Sequence, residues 1–63
     1  QAVDLQDPEK IIGNWCVTNI AALMELGLYM ESLTVTHKSE MPAKRWVHLS
    51  IRRPPSGSII FIP

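Results

Sequence analysis

Two histidines, one cysteine and a few carboxylates are the side chains here that could do chemistry, and their spacing decides how much. A zinc site draws Cys, His and carboxylate ligands at short fixed intervals, and neither His37 nor His48 has such a group at that spacing. Both read as surface or strand histidines, so no metal is expected. Cys16 could be a nucleophile only if a base or a positive helix end lowered its pKa and a third group oriented it. Nothing in the sequence supplies these, and Cys16 reads as a buried structural thiol. Glu25 and Glu31 fall in a loop-helix region that implies no paired acid and base. Lys44-Arg45-Trp46 together with Arg52-Arg53 is the one basic concentration, and a stacking Trp amid cations is what a binder of single strands uses. The cluster is small, however, and Trp46, His48 and Arg52 also make an ordinary exposed strand face. The expectation is therefore no enzymatic activity, no cofactor and no nucleic-acid partner.

Charge and hydropathy narrow the class further. Six Lys+Arg balance six Asp+Glu, which leaves no overall field to attract a phosphate backbone or an anionic membrane. The apolar runs at 20–24 and 59–62 are far too short to cross a bilayer, so no membrane span is expected. The N-terminus shows no basic n-region followed by an apolar h-region. A chain of 63 residues buries only ~60% of the surface its unfolded form exposes, so its core is small. With a single cysteine it has no internal disulfide to compensate, and support from a partner is the remaining route.

The elements that would position these side chains follow from periodicity. Asp7 suits a helix N-cap, with Pro8 at the first helical position and Glu9 favourable to the positive helix end. Beyond that turn two readings stand. Ile12, Trp15, Cys16, Ile20, Leu23, Leu26 and Met30 trace a helical stripe, while Gly13, Asn14, Val17 and Thr18 weaken a helix and favour a strand. Residues 20–26 are good helix formers with Gly27 as a stop, which places a short helix or compact loop there. From Leu33 the period becomes two, with Leu33, Val35 and His37 on one face of a strand. A polar connection at 39–44 leads to a second strand in which Val47, Leu49 and Ile51 alternate with His48, Ser50 and Arg52. The break at Pro54-Pro55-Ser56-Gly57 precedes a third strand over 58–62, buried on both faces.

The stretch 10–22, Lys-Ile-Ile-Gly-Asn-Trp-Cys-Val-Thr-Asn-Ile-Ala-Ala, resembles the first signature of the lipocalins: an N-terminal turn, then Gly-x-Trp, then a strand ending in small residues. Gly13 and Trp15 occupy the Gly and Trp positions. Cys16 stands where the family usually has an aromatic residue. The resemblance implies an all-β fold, a partial antiparallel up-and-down barrel with an N-terminal helical turn and a short helix or loop after the first strand. Gly13 would let the chain enter that strand and Trp15 would pack as the barrel floor. It covers roughly the first half of a barrel, which makes residues 1–63 a single incomplete domain or fragment that another chain or a missing segment completes.

The function so implied is binding and transport of a small hydrophobic molecule in a secreted setting. If Trp15 points inward, strand alternation sends Val17 and Asn19 inward too, and Val35, Val47, Leu49 and Ile51 line the same cavity as its ligand-binding residues. Those side chains could equally pack on one another as a core. The rival reading is a small α+β protein-protein interaction or oligomerisation module, in which residues 8–31 form one amphipathic helix on a hairpin of residues 33–53.

Overall fold

A computed structural model describes residues 1–62. It overturns the all-β expectation: the chain is mixed α+β, with three helices and a four-stranded mixed sheet that does not close into a barrel. The elements in order are β1 (Ala2–Gln6), α1 (Ile11–Thr18), α2 (Ile20–Leu26), β2 (Tyr29–Glu31), α3 (Leu33–Thr36), a 3-10 turn (Pro42–Lys44), β3 (Trp46–Ser50) and β4 (Ile60–Phe61). No helix among the described residues is long and apolar enough to cross a membrane.

The sheet runs β1-β3-β2-β4. β3 is central, antiparallel to β1 with Asp4 opposite His48, and antiparallel to β2 with Met30 opposite Leu49. β4 joins the far edge parallel to β2, with Glu31 beside Phe61. Alternation then divides the side chains between two faces. Val47 and Met30, both fully buried, meet Cys16 of α1 and Leu23 of α2 in the core, with Leu49 and Ile60 packed around them. The helices therefore cover this face. Trp46, His48, Ser50, Asp4, Glu31 and Phe61 fall on the other, which no helix covers.

The α+β class is that of the rival reading, but its helix-plus-hairpin layout is not formed, because residues 8–31 make no continuous helix. Asn19 breaks them into α1 and α2, its backbone N–H bonding back to the carbonyls of Trp15 and Cys16. The short helix expected over 20–26 is present as α2, closed by Gly27 at φ 69°. The strand expected at 33–38 is instead the single turn α3. There the Ser32 hydroxyl accepts from the Thr34 N–H at 3.3 Å and the His37 N–H bonds to the Leu33 carbonyl at 2.9 Å. Leu33, Thr36 and His37 then share an inward face at helical spacing, overriding the β preference of Thr34, Val35 and Thr36. The third strand shrinks to two half-buried residues at a sheet edge, so it is not covered on both faces.

The segment around Gly-x-Trp is helix, not strand, and its reason lies at Asp7. β1 ends at Gln6, and the chain reverses through Lys10, held at φ 63°, before α1 begins at Ile11. That left-handed turn carries the Asp7 carboxylate back to the helix start. Its two oxygens accept the N–H of Ile12 at 2.9 Å and of Gly13 at 2.8 Å, two donors a helix leaves without internal partners. Asp7 thus caps the helix as its residue type implies, but three residues further along than Pro8 suggests.

Candidate functional site

Two constellations bring chemistry-bearing side chains together, and they do different things. The first is buried. Asp7 Oδ2 lies 2.7 Å from His37 Nε2 as well as accepting from Gly13, tying the ends of β1 and α3 to the start of α1. Burial alone would raise the Asp7 pKa. The N–H groups of Gly13 and Ile12, then His37, outweigh it and hold the carboxyl below its ordinary value. Asp7 is therefore an ionised acceptor near neutrality, and His37 Nε2 must carry the proton between them. The imidazole presses against the helix where Gly13 has no side chain. A Cβ there would collide with His37 Cε1 and stand 2.8 Å from Leu33 Cδ2.

Cys16 sits near this pair without joining it. Burial pushes its thiol pKa up and the Asp7 carboxylate adds to the rise, the opposite of what a nucleophile or metal ligand needs. Among the described residues no three His, Cys, Asp or Glu side chains cluster to hold a metal ion. This constellation is buried and holds three elements together. One consequence is measurable: Cys16 should react with a thiol reagent such as DTNB at least ~10-fold more slowly in the native protein than in denaturant, because the core must open first. Equal rates would show that Cys16 is accessible and the packing around it is different.

The second constellation lies on the uncovered sheet face. His48 Nδ1 pairs with Asp4 Oδ1 at 2.6 Å across the β1–β3 register. Its ring meets Trp46 edge-on at 6.2 Å and Phe61 edge-on at 6.4 Å between centroids. Asp4 is mostly exposed, so this pair adds at most ~1 kcal/mol to stability, and its effect is to fix the ring. After β3 the chain turns up over this face. The Arg52 N–H bonds to Ser50 Oγ at 3.0 Å, and a turn over 54–57 closes with the Gly57 N–H on the Pro54 carbonyl at 2.9 Å. Between that segment and the sheet lies a cleft of about 500 Å³ with His48, Ser50 and Phe61 as its floor, and Arg52, Arg53, Pro54, Pro55, Ser56 and Ile62 around it. Ser50 does not extend the Asp4–His48 pair towards a triad, since its hydroxyl donates to the Gln1 carbonyl at 3.3 Å.

The side chains expected to share a cavity are dispersed. Val17 is exposed on α1, and Asn19 donates from Nδ2 to the Trp15 carbonyl at the helix break. Val35 is half-buried in α3 and Val47 is wholly inside the core. Leu49 packs against Val47 in the core and also meets Ile51 beside a hollow of about 260 Å³ with Leu28 and Val3. Trp15 is not a floor: it is 54% exposed on α1, while Trp46 is half-buried. Gly13 opens no strand and instead accepts the His37 ring. Of the basic cluster, Arg45 is consumed structurally, donating to the carbonyls of Ser39, Pro8 and Glu40.

Sequence reasoning placed Trp46, His48 and Arg52 on one face but missed Asp4, Phe61 and the cleft above them. The alternation of Val3 and Leu5 with Asp4 and Gln6 was the signal for β1, and with it for a carboxylate beside a strand histidine. Comparison of the chain with models of protein families, with curated proteins and with solved structures finds no match.

Proposed function

We propose that this chain is a small-ligand-binding module whose site is the cleft above the uncovered face of the sheet. The observation that carries the reading is the cleft itself: about 500 Å³ falls within the range of small-molecule sites. Phe61, Pro54, Pro55 and Ile62 give it an apolar body, and His48 and the two arginines supply a few polar groups. The wall is stiff, since two prolines and a hydrogen-bonded turn limit what it loses on binding. No reaction is assigned to the site.

The test uses 1-naphthoate and 1-naphthalenemethanol as probes, titrated by calorimetry and by NMR shifts at His48 and Phe61. Saturable 1:1 binding is expected. Ser56→Phe, an exposed position on the wall, should obstruct the cleft and weaken binding ~10-fold or more while the melting temperature stays within a few degrees. No saturable binding, or equal affinity in Ser56→Phe, sinks the proposal.

A second reading, a protein-protein interaction module, draws on α1. Ile11 and Trp15 lie one turn apart on that helix and are 65% and 54% exposed, a small apolar patch of the kind that partners cover. A concentration-dependent sedimentation coefficient lost in Trp15→Ser would favour it.

A further inference from the structure

We infer that the ligand of this cleft carries an anionic head, a carboxylate or a phosphate ester, held by the guanidinium groups of Arg52 and Arg53. The inference rests on the binding reading above and names the class of ligand. Both arginines line the cleft, and among the described residues no carboxylate side chain does. The two acidic residues of this sheet face adjoin the floor without lining the cleft: Asp4 is engaged by His48 at the β1 edge, and Glu31 is almost covered beside Phe61. Among the described residues no carboxylate lies within 4.0 Å of either guanidinium, the only ion pairs being those of the two histidines. Arg45, by contrast, spends its donors on three backbone carbonyls. A chain with no net charge thus gathers, at the rim of this cleft, two cations with no carboxylate partner among the described residues.

Arg53 lies against the turn that follows it. A Cβ on Gly57 would stand 2.8 Å from a terminal nitrogen of Arg53, 3.2 Å from Nε and 3.4 Å from Cζ, so the missing side chain of the glycine makes room for the guanidinium beside the turn. Gly57 has φ 73°, a backbone that a side chain disfavours on its own account. The planar donor fork of a guanidinium matches the two oxygens of a carboxylate or phosphate. Two adjacent arginines on a loop are usually a solvated surface. Here both border the same cleft, beside the apolar side chains of Phe61, Pro54, Pro55 and Ile62.

Three probes with one aromatic body and different heads test this: 1-naphthoate, 1-naphthyl phosphate and 1-naphthalenemethanol. Each is titrated against the native chain, the Arg52→Gln/Arg53→Gln variant and Lys44→Gln, a basic residue outside the cleft, with circular dichroism to confirm that each variant is folded. The native chain and Lys44→Gln should bind at least one anionic probe ~10-fold or more tightly than the alcohol, weakening as salt rises. The double variant should lose that preference and keep its affinity for the alcohol within about twofold. Which anion binds more tightly distinguishes a carboxylate from a phosphate ligand. Equal affinity for all three probes in the native chain, or a preference that survives in the double variant, overturns the head-group assignment and leaves the cleft as an apolar site. Failure of every probe to bind overturns both.

Discussion

Replacing Asp7 with alanine is expected to leave most of the protein unfolded at room temperature. The carboxylate satisfies the N–H groups of Ile12 and Gly13 and the buried His37 Nε2, and it joins β1, α1 and α3 at one point. Removing one member of a buried, hydrogen-bonded pair costs about 3–5 kcal/mol. A core of this size supplies little more than ~3–5 kcal/mol in all, so the loss is comparable with the whole stability. Urea denaturation followed by far-UV circular dichroism would show it. A cooperative transition in Asp7→Ala with the native midpoint would mean that the pair contributes almost nothing.

The same group makes stability fall with acid. Burial pushes the Asp7 pKa up, but the N–H groups of Gly13 and Ile12 and the contact with His37 push it further down, and the net folded value lies below the ordinary 3.8. A carboxyl depressed in the folded state contributes its full stabilisation above the unfolded value and loses it as pH falls through the folded one. The Asp7 contribution should thus be constant near neutrality and decline from about pH 4 downwards. A midpoint flat from pH 6 to pH 2 would contradict it.

Gly13→Ala should also destabilise, against the usual rule for helices. At an exposed helical position alanine is better than glycine by about 1 kcal/mol, and Asn14→Ala, one residue on and exposed, should gain a few tenths. At Gly13 the new methyl meets the His37 ring and stands 2.8 Å from Leu33 Cδ2. His37 cannot swing away without giving up its 2.7 Å contact with Asp7. Overpacking of this kind costs about 1–3 kcal/mol, and displacing the ring adds the loss of the pair. Chemical denaturation of Gly13→Ala and Asn14→Ala side by side gives opposite signs if the ring lies on the helix as described. A gain in both would place the imidazole further away.

Parts of this were legible in the residues. Good helix formers ahead of Gly27 marked α2, Val47 and Leu49 alternating with Trp46, His48 and Ser50 marked β3, and Pro54-Pro55-Ser56-Gly57 marked the turn. The Gly-x-Trp stretch misled because three residues carried a fold that the neighbouring chain does not build. Gly13 resembled a residue easing entry to a strand, when its lack of a side chain serves a histidine far along the chain. Trp15 resembled a buried floor for the same reason. Around α3, two-residue alternation and one helical turn place nearly the same residues inward, so periodicity over so short a stretch could not separate them.

What the sequence determined by itself was local. Charge balance, short apolar runs, the helix stop at Gly27 and the turn over 54–57 each follow from composition or from neighbours within a few positions. Tertiary structure decided whatever depended on residues distant in the chain. It set the pairing of Asp7 with His37 and of Asp4 with His48, and it put helix rather than strand over 11–18. It also put Phe61 and the two arginines around one cleft. The physical reason is that pairing partners are selected by strand register and by which face of the sheet the helices cover. A shift of one residue in register sends every side chain of a strand to the opposite face, and no residue type announces that choice in advance.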